Sequence, residues 1–266
     1  MLSPRFVGLA AVIVWILAAA IIPVTQDEAY YFAWAEKLAW GYYDHPPGIA
    51  WISVTSLLGE SAFWGRVGTL LCATIMAIML ANLYRRCGLS REKSALALLL
   101  ALFSLPGLLG GFLATPDTLV GMLSIATVWQ GHHAMQGRPR RWIIAGVFAG
   151  MALTAKYTAV LVAPALLWTL WRCDRKNLAG PWPWAGLLVA FIVFSPHIAW
   201  NAQHDWITMR FQLLHGFGGE RPTPESQLPT PLPFDPTSPE ALAALSVGEL
   251  SEQEDEEEKE RRPYDE

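Results

Sequence analysis

Long apolar runs separated by short polar breaks fill the chain from its start to about residue 217. A helix needs about 20 mainly apolar residues to cross a bilayer, and the run from Phe6 to Val24 has that length. Similar runs recur near Arg66 to Leu83, Ser94 to Phe112, Thr118 to Ala134, Trp142 to Leu153, Thr158 to Trp171 and Trp184 to Trp200, so about seven spans are expected. The stretch Pro46 to Leu58 is also apolar, but it is short and opens on two prolines. With Trp40, Tyr42, Tyr43, Trp51 and Trp64 around it, it reads as a helix lying in the membrane interface. Gly146 and Gly150, one turn apart in the fifth span, offer a face that another helix can approach closely. The expected fold is all-α and polytopic, a transmembrane module over residues 1–217 with interfacial helices in its first non-cytoplasmic loop.

From Gly218 the pattern stops. Gly, Pro, Ser and Thr dominate to about Pro239, and a charge block, SEQEDEEEKERRPYDE, closes the chain. Such a segment has almost nothing to bury, so residues 218–266 are expected to be a disordered tail, with at most a transient helix over Glu240 to Leu250.

Composition sharpens the class. Hydrophobic residues make up 53% of the 266 and charged residues only 16%, with 13 Trp, a balance that a water-soluble domain of this size cannot hide from solvent. The net charge of -4 misleads as a global figure, because the acidic tail supplies much of it. Cys72, Cys87 and Cys173 have no CxxC spacing and suggest neither a disulfide framework nor a metal site. A signal peptide competes for the first apolar run, but no small-residue cleavage pattern directly adjoins Thr25 and more spans follow, so that run is expected to be an uncleaved helix.

Basic residues set the orientation. Arg85, Arg86, Arg91 and Lys93 fall between spans two and three, Arg138, Arg140 and Arg141 between four and five, and Arg172, Arg175 and Lys176 between six and seven. All lie on the side of the N-terminus, which the positive-inside rule places in the cytoplasm. The opposite side receives residues 25–65, the Thr115-Pro116-Asp117 turn, the Lys156-Tyr157 turn and the segment from Asn201 to Arg210. Most of the polar residues able to do chemistry thus gather on the non-cytoplasmic face.

Each has a structural reading as well. Thr25-x-x-Glu28 is a capping-box pattern that starts a helix expected to run through Ala39, and Asp27 favours the same positive helix end. Asp44 and His45, ahead of Pro46-Pro47, fit an N-cap and an interfacial His as well as a substrate contact. Thr115-Pro116-Asp117 fits a helix start, although an acid at a span mouth is costly unless used. Lys156 interrupts an apolar hairpin, where it either snorkels to the interface or meets an anion. His197 and Asn201 can line the same cavity or be satisfied in the core. Tyr30, Tyr31, Tyr42 and Tyr43 suit an interfacial belt. His132 and His133 sit near the cytoplasmic end of span four and read as solvated.

In combination, Asp27-Glu28-Ala29-Tyr30-Tyr31, Tyr43-Asp44-His45-Pro46-Pro47, Thr115-Pro116-Asp117 and Leu153-Thr154-Ala155-Lys156-Tyr157 resemble the GT-C membrane glycosyltransferases. The chain is similar to bacterial members of the protein O-mannosyltransferase and lipid A aminoarabinose transferase superfamily, including galacturonic acid transferases of the lipopolysaccharide core. The resemblance covers about Met1 to Phe217. Family members usually continue with more spans, so it implies a C-terminally shortened relative.

The resemblance implies transfer of a sugar from a polyprenyl-phosphate donor to a lipid, glycan or protein acceptor. It further implies a reaction at the periplasmic face of a bacterial inner membrane with inversion of the anomeric centre. Asp27 and Glu28 become the catalytic candidates, one carboxylate sufficing as base. Asp44, His45, Asp117, Lys156, Tyr157 and Asn201 become substrate-binding candidates, with Lys156 on the phosphate. Neither a cofactor nor a metal is required, although Asp27, Asp44 and Asp117 could hold a divalent ion weakly. The partners expected are donor, acceptor and membrane lipids, with no nucleic acid. No Gly-rich nucleotide loop is present. A catalytically incomplete protein that binds a polyprenyl lipid or a partner is the alternative, and a transporter a weaker one.

Overall fold

The computed structural model describes residues 2–216, and every regular element among them is a helix. In chain order these are α1 (Pro4–Ile21), α2 (Gln26–Glu36), α3 (Gly48–Ser53), α4 (Ala62–Arg86), α5 (Arg91–Leu102), α6 (Leu105–Phe112), α7 (Pro116–Met135), α8 (Arg141–Ala155), α9 (Val162–Cys173), α10 (Arg175–Ala179), α11 (Pro181–Gln203) and α12 (Ile207–Gly216). Short 3-10 turns, Val54–Leu58 and Tyr157–Leu161, follow α3 and precede α9. The packing described below belongs to the unit Met1–Leu213. The expected tail lies outside the described residues.

Three of these helices, α1, α4 and α11, are long and apolar enough to cross a membrane. Along α1, Val7, Ala11, Trp15 and Ala19 are buried at a spacing of four, while Phe6, Leu9, Ile13 and Leu17 are exposed. One stripe therefore packs into the bundle and the other offers lipid an apolar face, as a span requires. The buried stripe meets Leu70, Ala73 and Ala77 of α4 and Leu98 and Leu102 of α5.

The expected straight span from Ser94 to Phe112 is instead broken. Helices α5 and α6 meet at 71°. Ser104 takes extended backbone angles, its hydroxyl accepts the Gly107 amide at 3.2 Å, and Pro106 stands in the first turn of α6. A new helix start is thereby built inside an apolar run whose mean hydropathy hides it. Only that bent pair adds a fourth candidate crossing among the described residues, against the seven expected from hydropathy. α8 has 15 residues, and the expected Thr158–Trp171 span divides into a 3-10 turn and the 12-residue α9. α7 has 20 residues but includes Asp117, Gln130, His132 and His133.

The small-residue face expected at Gly146 and Gly150 packs α8 on α11. A Cβ built on Gly146 would run into the Gly186 carbonyl oxygen, and one on Gly150 would lie 2.6 Å from that of Ala190. The two backbones approach as closely as small residues allow.

The segment expected to lie in the interface forms α3 and its 3-10 extension. Its inner side is packed: a Cβ on Gly48 would meet Ala155 Cα of α8 at 2.8 Å, and one on Gly68 of α4 would meet the Ile52 carbonyl oxygen. Leu57 and Leu58 remain exposed on the other side. Helix α2 ends at Glu36, short of the expected Ala39. There Tyr42 stacks on Trp34 at 4.2 Å, and its hydroxyl accepts the Ala39 amide while lying 3.1 Å from the Trp34 and Lys37 carbonyls. With those groups satisfied by a side chain, the helix has no need of another turn.

Candidate active site

At the non-basic end of the bundle, one buried ion pair fixes several backbone segments. Glu28 and Arg66 are both fully buried, with Arg66 Nη2 2.6 Å and Nε 2.7 Å from the two carboxylate oxygens. Arg66 also donates to the carbonyls of Ala19, Ile22 and Pro23 at 2.7–3.1 Å. All five guanidinium N–H groups are thus used, three of them on the unsatisfied end of α1. Glu28 accepts in addition from the amides of Thr25 and Ala114, each at 3.0 Å.

The expected capping box is present in full, since the Thr25 hydroxyl also accepts the Glu28 amide. Burial alone would raise the Glu28 pKa. The hydrogen bonds from Arg66, Ala114 and Thr25, with the charge of Arg66, outweigh it and hold the carboxyl below its ordinary value. Glu28 is therefore an ionised anchor enclosed by donors, which puts its expected catalytic role beyond reach of a substrate hydroxyl. It joins the end of α1, the start of α2, the start of α4 and the loop before α7. Two of those places determine where Asp27 and Asp117 stand.

Asp27 adjoins the anchor in sequence but has the opposite environment. It is exposed, and its carboxylate has no hydrogen-bond or ion-pair partner among the described residues. Adjacent helical positions point about 100° apart, which is how one of the pair turns inward and the other outward. Asp117, in the first turn of α7, is also exposed and lies 2.6 Å from Lys156 Nζ, at the end of α8. Lys156 thus meets a carboxylate instead of snorkelling. Thr115 occupies the cap position of α7, yet its hydroxyl makes no cap bond.

Asp44 is not the N-cap of α3, because Pro47 holds that place. Its carboxylate receives the Tyr30 hydroxyl at 3.4 Å and lies 3.3 Å from His45 Nδ1. Tyr31, next along α2, is buried, and its ring meets those of Tyr30 and His45. Burial and then the charges of Asp44, Asp27 and Asp117 raise its pKa. Burial and Asp44 do the same for Tyr30. Asp27 stands one helical turn before Tyr31 on α2, His45 beside Asp44 meets the Tyr31 ring at 5.8 Å, and the Ala114 bond to Glu28 brings the loop before Asp117, with its Lys156 partner, to the same helix.

A second cluster adjoins this one through the Asp44 loop. His197 is fully buried, and its Nδ1 lies 2.6 Å from the Trp40 carbonyl, so Nδ1 holds the proton and Nε2 accepts. Nε2 takes the Tyr157 hydroxyl at 2.5 Å and the Asn201 amide at 3.1 Å. Thr208 of α12 donates to the Tyr42 carbonyl at 2.6 Å, and Gln212 donates to the carbonyl of Asp44. Tyr157 and Asn201 are thus tied to each other and to the walls around Asp44, while Asn201 itself is fully buried. His132 and His133 stand at the other end of α7.

Sequence reasoning missed Arg66, treated only as a span boundary. Its signal was available: a lone arginine at the non-cytoplasmic end of an apolar run runs against the charge bias and demands a partner.

Residues 44–200, more than half of the chain, match the family described as dolichyl-phosphate-mannose-protein mannosyltransferase. The chain is 29% identical over 190 residues to a lipid A galacturonosyltransferase of Rhizobium johnstonii. That alignment spans 69% of this chain and 40% of the relative, so the chain covers well under half of the relative's length. No solved structure matches.

Proposed function

The chain belongs to the dolichyl-phosphate-mannose-protein mannosyltransferase family of GT-C membrane glycosyltransferases, and on that premise we propose that it moves a sugar from a polyprenyl phosphate to an acceptor hydroxyl. The single observation behind this reading is that the loops carrying Asp44 and Asp117 meet helix α2 beside Asp27, through the His45 ring on Tyr31 and the Ala114 bond to Glu28, with Lys156 paired to Asp117. The phosphate is already a competent leaving group. The protein's duties are to accept one proton and to balance one developing charge.

Asp27, exposed and unpartnered, takes the proton of the acceptor hydroxyl as its oxygen attacks the anomeric carbon from the face opposite the phosphate. The bond between that carbon and the phosphate oxygen breaks, its electron pair leaves with the polyprenyl phosphate, and the configuration inverts. Lys156 receives the leaving phosphate, giving up its exposed ion pair with Asp117, which holds it only weakly. Asp44, His45 and Tyr157 bind sugar and phosphate, Asn201 holds Tyr157 through His197, and Glu28 positions Asp27. No step passes through a metal ion.

The positive-inside pattern supports a site on the periplasmic face of a bacterial inner membrane. Similarity to a lipid A galacturonosyltransferase favours a lipid acceptor over a protein. A second reading is binding of a polyprenyl lipid without transfer. Both are tested by giving the purified chain a labelled polyprenyl-phosphate sugar with lipid A, and measuring donor retention and labelled product together. Labelled lipid A supports the enzyme. Retention without product supports the binder, and neither result sinks both.

A further inference from the structure

At the end of the bundle opposite the carboxylates, α1, α4 and α5 leave a groove of about 830 Å3. Its walls are aliphatic, with Leu9 and Val12 from α1, Ile78 from α4 and Leu98 from α5. At its end stand Arg5, Arg85 and Arg91, from the start of α1, the end of α4 and the start of α5. Among the described residues, none of these three guanidinium groups has a hydrogen-bond acceptor or a carboxylate partner. Three exposed like charges converging on one groove repel each other, and an anion placed between them relieves that repulsion.

We propose that this groove binds an anionic phospholipid of the surrounding bilayer, its phosphate among Arg5, Arg85 and Arg91 and one acyl chain along the aliphatic walls. Basic pockets between membrane helices select such headgroups. A soluble phosphate compound would leave the walls wet. The exposed faces beside the groove, including Leu9, Ile13 and Ile78, are those of lipid-facing helices. One further detail fits. Gly8 lines the groove, and a Cβ built on it meets nothing within 4 Å, so space remains along α1 for a chain to lie in.

The inference is independent of the proposed reaction. The test uses the full chain in a neutral detergent, carried through mixed micelles of phosphatidylglycerol and phosphatidylcholine, with bound lipids counted by native mass spectrometry. At low salt, one phosphatidylglycerol is expected to be retained on the order of 100-fold better than phosphatidylcholine, falling steeply as salt rises. Arg5→Gln/Arg85→Gln/Arg91→Gln should abolish that preference. Gly8→Leu keeps every charge, fills open space and replaces a poor helix former, so a folded protein that loses the same lipid is expected. Equal retention of the two lipids by the parent chain, or an undiminished preference in a folded Gly8→Leu variant, overturns the proposal. Displacement of the lipid by equimolar glycerol phosphate overturns it too, since the site would then be one for a soluble anion.

Discussion

Asp27 and Glu28 are neighbours of the same chemistry placed in opposite environments, and the difference between them governs what each can do. Glu28→Gln leaves the Arg66 charge buried without its counter-ion, for which a loss of about 3–5 kcal/mol is expected. Chemical or thermal unfolding in detergent reads it directly, and the exposed pair of Lys156 and Asp117 should give roughly 1 kcal/mol or less under the same treatment. The Glu28 pair also gives a pH dependence. Because the folded pKa lies below the ordinary carboxylate value, the unfolded chain binds the proton first on acidification. The contribution is therefore complete above the ordinary value and is lost as pH falls through the lower folded one. Unfolding followed down the acid range should show that loss in the parent chain, and Glu28→Gln should flatten it. The capping box was legible in the sequence because its partners are three residues apart. The Arg66 bond was not, because 38 residues separate it from Glu28.

Among the elements, patterns of small residues proved readable and breaks inside apolar runs did not. Gly146 and Gly150 announce a close helix pair, and α8 does press on α11 there. Gly146→Ala puts a methyl into the Gly186 carbonyl, and a loss of about 1–3 kcal/mol is expected. The same change at Gly8, where nothing lies within 4 Å, should be neutral or stabilising when the two unfolding curves are compared. By contrast, hydropathy averaged over Ser94 to Phe112 conceals the Ser104 cap and the 71° bend behind it. Serine followed two residues later by proline was the available cue. It was outweighed because the residues around it are almost all apolar. Local chemistry of this kind starts helices irrespective of how hydrophobic their surroundings are.

For the molecule as a whole, the expected sidedness puts the basic loops on one face and the site carboxylates on the other. Exposed Cys87 and Cys173 stand with the basic loops, and Lys37 follows α2 on the carboxylate side. A membrane-impermeant thiol reagent applied to intact cells should label Lys37→Cys and leave both native thiols untouched until the membrane is opened. Labelling in the reverse order would put the site on the wrong face for a periplasmic donor. The sequence placed Asp27, Asp44, Asp117 and Lys156 on one side but could not show that the loops carrying Asp44 and Asp117 meet α2 beside Asp27, a relation made by helix packing over distances no local pattern spans. The central claim is that Asp27 is the base at that shared place. The measurement that bears on it most directly is sugar transfer by Asp27→Asn beside the parent chain, with donor binding and unfolding followed on the same preparations. Asparagine keeps the size and much of the helix-start hydrogen bonding, so stability should change by at most about 1 kcal/mol. Turnover should fall by about 100-fold or more with donor binding kept. Near-normal transfer by the variant would contradict the assignment.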